Sequence, residues 1–454
     1  MDASSGSILV LGRQPELGLA ELERLFGSEA VHPVPHAATA YSPLAAGSAS
    51  PHVALLDVAP DAVAFARLGG SVKLARPLAT LPTLNWPQIE AGLRKAALQS
   101  AKATPEGKLK IGLSFYGFEP GTMNPARANA AGLNLKKALR QTDRSVRIVP
   151  NKELQLNSAQ VLHNRLTGEL GREFLIIKSA PAKGHPGHTI IAQTVAEQDI
   201  DAYAARDQGR PKRDARVGML PPKLAQIIVN LSGAKRGGTI WDPFCGTGVL
   251  LQEALLMGID VYGSDIEPRM IDYTEQNLAW LDSTYSTKYN AAHAAGSPSI
   301  WYDLQVGDAT NIKFQNKHVM PLSTVACEGY LGQPFATFPS TEKLTEVRST
   351  CNLILKKFLQ NIAPQLGSGT SLCLAVPAWQ QRTGVFVHLP LLENGPRRQN
   401  APASSNQPTP AQPLDHLEEM GYNRVSFKHV EPKDLIYARA DQIVARELLV
   451  LIKK

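Results

Sequence analysis

A glycine turn set between two carboxylates constrains this chain more than any other stretch of it. Asp242-Pro243-Phe244-Cys245-Gly246-Thr247-Gly248 follows the short apolar run Thr239-Ile240-Trp241, and residues 249–257 form a breaker-free helical run ending at Gly258. A second strand, Ile259-Asp260-Val261-Tyr262-Gly263-Ser264, delivers Asp265. Strand, glycine turn, helix and strand make the opening unit of a parallel sheet with helices packed on it. Gly246 and Gly248 let the backbone pass close beneath a ligand, where a Cβ would collide. Asp265 stands where a carboxylate accepts hydrogen bonds from both hydroxyls of a ribose, as in dinucleotide folds.

Charge selects among the nucleoside cofactors. A dinucleotide needs a free helix N-terminus and more glycine for its pyrophosphate, and a carboxylate at Asp242 repels phosphate. S-adenosylmethionine, with an ammonium, a sulfonium and no phosphate, suits that charge. An ordinary glycine-containing turn and a dehydrogenase are the competing readings of the same residues.

The 454 residues suit roughly two or three domains with full-sized cores. Cys245, Cys327, Cys351 and Cys373 lack metal-ligand spacing and a disulfide framework, so no metal is expected and a reducing cytosol fits. Cys245 and Cys327, nearest the turn by position, have no recognisable base partner and read as packing residues. No apolar run reaches membrane length and the Met-Asp start lacks signal-peptide character, so the expectation is a cytoplasmic protein without a membrane partner. A net charge of +7 permits a polyanionic partner.

A polar, charged passage at 199–216 divides the chain. Before it, short strands alternate with amphipathic helices in the manner of α+β units: residues 1–84 with an antiparallel sheet, and residues 85–198 dense in Lys and Arg. Lys136, Lys137, Arg140, Arg147, Lys152 and Arg165 belong to that basic set, and their density suggests phosphate contact, with a solvated charged surface as the alternative. After it, over 217–454, strands alternate with helices, which implies a mainly parallel sheet. A polar insertion near 283–299 delays the strand that ends at Asp308. That residue is placed to accept a hydrogen bond from an adenine amino group, or else to cap a turn. Residues 394–414, rich in Pro, Gln, Asn, Ser and Ala, read as a mobile loop.

Motifs spread along most of the length carry a family resemblance. They are Leu11-Gly12-Arg13-Gln14-Pro15-Glu16-Leu17 with Ala20-Glu21-Leu22, then Gly69-Gly70-Ser71-Val72-Lys73 and Leu156-Asn157-Ser158-Ala159-Gln160-Val161. Most specific is Arg206-Asp207-Gln208-Gly209-Arg210-Pro211-Lys212-Arg213-Asp214, leading through Gly218-Met219-Leu220-Pro221-Pro222-Lys223 to the turn at Asp242. The chain resembles the THUMP-domain class I methyltransferases that modify the exocyclic amine of guanosine in transfer RNA, the guanosine-10 N2 type. The resemblance implies a ferredoxin-like domain (1–84), a THUMP domain gripping tRNA (85–198), a linker (199–216) and a Rossmann-like methyltransferase domain (217–454). It implies S-adenosylmethionine held by Asp242, Pro243, Gly246, Thr247, Gly248, Asp265, Ile266, Asp308 and Ala309, with Pro222 and Lys223 near the pocket. Asn157, Arg210, Lys212 and Arg213 join the basic set as residues expected to face RNA. A small activating subunit, needed by some eukaryotic relatives, is a further partner it raises.

One departure matters. After its fourth strand the family carries Asp-Pro-Pro-Tyr-Gly, where the carboxylate holds the target amine and the ring stacks on the base. Here the corresponding residues are Glu328-Gly329-Tyr330-Leu331-Gly332, with Glu328 at the acidic position and both prolines replaced. Glu328 and Tyr330 are the expected catalytic pair, with Phe335 as a second candidate for stacking. The expected activity is direct in-line methyl transfer to a guanine N2 in tRNA. The alternatives are a weak or inactive tRNA-binding protein that keeps the cofactor fold, and a DNA amino-methyltransferase.

Overall fold

The computed structural model describes residues 6–35, 52–119, 121–181, 186–214, 219–292, 301–314, 322–392 and 416–454. The loop expected at 394–414 lies outside the described residues, as do Gly218 and the end of the insertion at 283–299. The described residues form two compact units, one up to Ala205 and one from Arg206 onward.

The first unit is α+β. Its strands are β1 (Ser7–Leu11), β2 (Val31–Pro33), β3 (Val53–Leu56), β4 (Ser71–Leu81), β5 (Leu109–Tyr116), β6 (Val146–Ile148), β7 (Gly171–Ser179) and β8 (His188–Glu197). They make one mixed sheet in the order β2-β3-β1-β4-β8-β7-β5-β6. Long β4 pairs antiparallel with β1 on one side and β8 on the other, so the spans 1–84 and 85–198 share a sheet. Helices α1 (Pro15–Phe26), α2 (Trp86–Lys102), α3 (Pro125–Arg140) and the short α4 (Ser158–His163) complete it. Ile89, Leu93, Ala131, Leu135 and Leu139, spaced on one face of α2 and α3, bury against Ile111, Phe115 and Phe174 of the sheet.

The N-terminal motifs turn out to be one brace. Both oxygens of Glu21 accept amides, from Gly69 and Gly70, each at 2.9 Å. A Cβ on Gly70 would lie 2.5 Å from the Gly18 Cα, so α1 seats on this loop only with glycine at both positions. Lys73 donates to the Leu156 carbonyl at 2.9 Å and to Glu173 at 2.5 Å, tying the motif at 156–161 to the sheet.

The second unit is α/β. The first half of the expected linker is helical, α5 (Ile200–Gly209), where Asp199 caps the Ala202 amide and an Ala-rich run favours helix. Beyond it come α6 (Pro222–Leu231), β9 (Thr239–Asp242), α7 (Val249–Leu256), β10 (Asp260–Asp265), α8 (Pro268–Ala292), β11 (Tyr302–Val306), β12 (Thr324–Glu328) and α9 (Thr341–Ile362). The strands β13 (Ser371–Arg382), β14 (Val385–Val387), β15 (Tyr422–Arg424), β16 (Ile436–Tyr437) and β17 (Val444–Lys453) close the unit. Helix α8 carries on into the expected insertion because no Gly or Pro interrupts it before Gly296.

The main sheet runs β11-β10-β9-β12-β13-β17-β15, with β9 to β13 parallel and β17 antiparallel to both its neighbours. This is a Rossmann-like, doubly wound arrangement, the fold class expected after the charged passage. The chain winds outward from β9 in one direction through β10 and β11, then in the other through β12 and β13. Between β9 and β12 lies the switch point, and ligands of such sheets bind outside the carboxyl ends of the strands there. Asp242, Asp265 and Glu328 are the last residues of β9, β10 and β12.

Candidate functional site

The turn after β9 folds as its glycines dictate. Gly246 and Gly248 take the left-handed region, at φ 53° and 78°. They do different work. A Cβ at Gly248 would come within 2.8 Å of Thr274 on α8, whereas at Gly246 the nearest atom is 4.0 Å away and the space above is open. Clearance for a ligand is thus a property of Gly246, and Gly248 serves helix packing. Helix α8 then clamps the turn: the Thr274 hydroxyl donates to the Gly246 carbonyl at 2.8 Å, and Asn277 donates to the Thr247 carbonyl at 2.8 Å and to the Lys212 carbonyl at 2.9 Å.

A cleft of about 420 Å³ opens above these strand ends. The structure brings Asp242, Gly246, Thr247, Asp265 and Ile266 together on it, with Glu328 and Tyr330 also in its wall. Pro243 lies within the turn and Gly248 caps α7. Pro222 and Lys223 open α6 next to Leu220, which lines the cleft although they do not. Asp308 and Ala309 are likewise outside its lining, and Asp308 acts locally, accepting the Thr310 amide at 2.8 Å. The turn-capping alternative describes Asp308 as it stands. No Lys or Arg is found among the described residues that line the cleft.

Three carboxylates therefore line one cleft, and Glu328 among them is paired with a cation, Arg446. Asp242 is 2% exposed and accepts the Phe244 amide at 3.0 Å. Burial pushes its carboxyl well above the usual range, and the charges of Asp265 and Glu328 push it further. Burial also raises Asp265, against the amides of Glu267 and Gly246, which donate to Oδ1 and Oδ2 at 3.0 and 2.9 Å. The Ile266 amide acts on the same carboxylate, which still keeps room to accept from a further donor such as a ribose hydroxyl. Burial raises Glu328, and Arg446, whose Nε lies 2.5 Å from Oε1, pulls it back. Such a field repels phosphate and receives a cation.

The thiols nearby are inert. Cys245 and Cys327 are buried, and burial together with the neighbouring carboxylates pushes both well up, away from the reactive thiolate. Tyr330 is 49% exposed and presents a ring to the cleft, whereas Phe335 packs against the core.

The motif at 206–214 is a scaffold. Arg206 forms a two-pronged pair with buried Glu253 on α7, at 2.6 and 3.2 Å, and Gln226 on α6 donates to the same carboxylate. Arg210, expected to face RNA, is instead 3% exposed, with Asp207 at 3.6 Å; the packing that seats this segment on the helices draws it inward. Lys212 is half-buried, its amide held by Asn277 and its ammonium 5.2 Å over the Tyr273 ring. Arg213 is exposed.

In the first unit, Lys137, Arg140, Arg147, Lys152 and Arg165 are exposed and Lys136 is half-buried. Lys137 lines a second cleft of about 340 Å³ between α2 and α3, shared with Glu90 and Arg94. Asn157 is exposed, and its side chain caps α4 by accepting the Gln160 amide.

Sequence reading missed Arg446. The apolar run alone marks residues 448–452, while β17 begins at Val444 and carries Arg446 and Glu447 side by side ahead of that run. Both are buried, at 6% and 2% exposure, and in a strand they point to opposite faces. Two adjacent charges inside a hydrophobic strand were the available signal.

Part of the chain is similar in sequence to known methyltransferases. Residues 210–308 match the family model described as an RMKL-like methyltransferase domain. The tRNA (guanine(10)-N2)-dimethyltransferase of Methanothermobacter thermautotrophicus is 57% identical over 61 residues, which is 13% of this chain and 18% of that protein. The protein of the same name from Pyrococcus abyssi is 43% identical over 94 residues, 21% of this chain and 23% of that one. The matched stretch therefore spans about a fifth of these relatives' own length. The solved structure of TrmN from Thermus thermophilus aligns over 99% of both chains at 14% identity, with a TM-score of 0.45.

Proposed function

We propose that this chain, which carries an RMKL-like methyltransferase domain segment at 210–308, transfers a methyl group from S-adenosylmethionine to the exocyclic N2 of a guanine in tRNA. The observation that carries the reading is the cleft at the switch point, walled by Asp242, Asp265 and Glu328 and lined by no Lys or Arg among the described residues. The guanine N2 and the tRNA rest on the names of the relatives that share its sequence.

The residues fit the cofactor. Asp265 would accept from the ribose hydroxyls; Gly246 leaves space for the ligand over the turn; buried Asp242 would balance its positive charge. When bound, S-adenosylmethionine supplies an electrophilic methyl group. The guanine N2 lone pair is delocalised into the ring, so the protein has to orient the amine and accept a proton from it. Glu328 is the acceptor in this reading. Tyr330 offers its exposed ring as a stacking face for the base.

Labelled S-adenosylmethionine and unmodified tRNA, followed by mass spectrometry of the nucleosides, tests the proposal. N2-methylguanosine is expected, and Glu328→Gln is expected to lower kcat by about 10²–10⁴. A small activating subunit, if required, would reveal itself as transfer restored by cell extract. Saturable cofactor binding with no methyl entering tRNA, with or without extract, would overturn the reading.

A further inference from the structure

The acceptor carboxylate sits on a loop with little intrinsic stiffness. Residues 329–332 read Gly-Tyr-Leu-Gly, with no proline, and Gly332 lies in the left-handed region. The Gly329 amide reaches the Ala375 carbonyl at 2.9 Å, which anchors the backbone but leaves the Glu328 side chain to be placed by other means.

Sheet register supplies them. Glu328 is opposite Ala375 on β13, Ala375 is opposite Leu448 on β17, and Arg446 is opposite Pro377, two residues along. Laterally paired residues, and residues two apart in a strand, share a face. Glu328, Ala375 and Arg446 therefore stand on one face, and the small Ala375 side chain leaves a path over β13. Arg446 crosses it and places Nε 2.5 Å from Glu328 Oε1.

We infer that Arg446 is the positioning residue for methyl transfer: its guanidinium fixes one oxygen of Glu328 and leaves the other for the target amine. The inference rests on the methyl-transfer reading given above. Its chemistry follows from what surrounds the carboxylate. Asp242 at the end of β9 feels its charge, Asp265 at the end of β10 lines the same cleft, Cys327 precedes it, Cys373 on β13 is opposite Ala326, and Tyr330 is in its own loop. Arg446 is the cation in that set. Without it, burial is left unopposed and holds the Glu328 carboxyl further above its ordinary range, which favours the protonated form that cannot accept a proton from the amine.

The test uses the full-length protein with Arg446→Gln, Arg446→Lys and Glu328→Asp, each checked for a cooperative melt; should the Gln variant not fold, the Lys variant carries the comparison. Arg446→Gln is expected to lower kcat at least about tenfold at pH 7 with little change in the KM for S-adenosylmethionine. The acid limb of its pH–kcat profile moves to higher pH, so the deficit shrinks in alkali, and Arg446→Lys lies between it and wild type. Glu328→Asp, one methylene shorter, loses the pair, so adding Arg446→Gln to it costs little more. In parallel, the Glu328 carboxyl is titrated by carbon NMR, with a higher midpoint expected in Arg446→Gln. If wild type transfers methyl and Arg446→Gln keeps both kcat and its acid limb, the inference fails and the methyl-transfer reading stands. If wild type transfers none, that reading fails, and an unchanged Glu328 midpoint would then also overturn the pairing.

Discussion

Glu173 in the first unit and Asp242 in the second are both carboxylates buried in a sheet, and the molecule treats them in opposite ways. Glu173 accepts Lys73 at 2.5 Å and the hydroxyls of Ser114 and Thr194 at 2.6 Å each. Burial works against the Lys73 charge, yet the charges of Glu173 and Glu197 and the hydrogen bond to Glu173 outweigh it and raise its pKa. Asp242 accepts the Phe244 amide and faces two more carboxylates. A buried acid surrounded by donors holds a fold together. One left under-balanced in the wall of a cleft costs stability when ionised, a cost that a cationic ligand would offset.

The largest effect that can break the contrast is Lys73→Met. It strands Glu173 and removes the tie to Leu156, so chemical denaturation should show a loss of about 3–5 kcal/mol, with S-adenosylmethionine affinity of the folded protein unchanged. A loss below about 1 kcal/mol would mean the brace is not built on this pair.

Asp242→Asn should act in the reverse sense. Cofactor affinity is expected to fall by about two orders of magnitude, near 2.8 kcal/mol, while the folded protein gains about 0.5–2 kcal/mol. The gain has a pH signature. Because burial raises Asp242, the folded state binds more protons than the unfolded one once pH climbs above the ordinary carboxylate range, so wild-type stability declines there. The variant should lack that share of the slope, which denaturation at several pH values measures. Equal slopes would place the burial penalty elsewhere.

The smallest effect concerns the exposed cations. Lys137→Ala and Arg140→Ala should each weaken tRNA binding modestly and lower the salt slope by about one, as read by filter binding across salt. Arg210→Lys should instead destabilise the protein, because Arg210 is interior. A change in salt slope with intact stability would return Arg210 to the RNA surface.

Local features of the site were legible. The glycine turn, Asp265 and Glu328 all end strands whose apolar runs announce them, and the structure gathers them on one cleft. What depends on register was not. Arg446 meets Glu328 only because β17 pairs with β13 and β13 with β12, a relation among residues 118 apart in sequence. Arg206 to Asp214 reads as a basic motif, but its partners Glu253, Asn277 and Arg269 come from helices further along the chain, so its bracing role appears only after folding. The strand expected to end at Asp308 stops at Val306, and whether Asp308 caps its own turn or faces a ligand is decided by a side-chain rotamer that no sequence pattern encodes.

The under-balanced cleft is tested most directly by calorimetric titration of S-adenosylmethionine into the full-length protein at a series of pH values running upward from the ordinary carboxylate range. A ligand that prefers Asp242 ionised must bind more tightly as protons leave a carboxyl whose pKa is raised. Affinity that strengthens with pH in wild type, and weak, pH-flat binding in Asp242→Asn, is the predicted result. Affinity that ignores pH, or that survives the substitution, would contradict it.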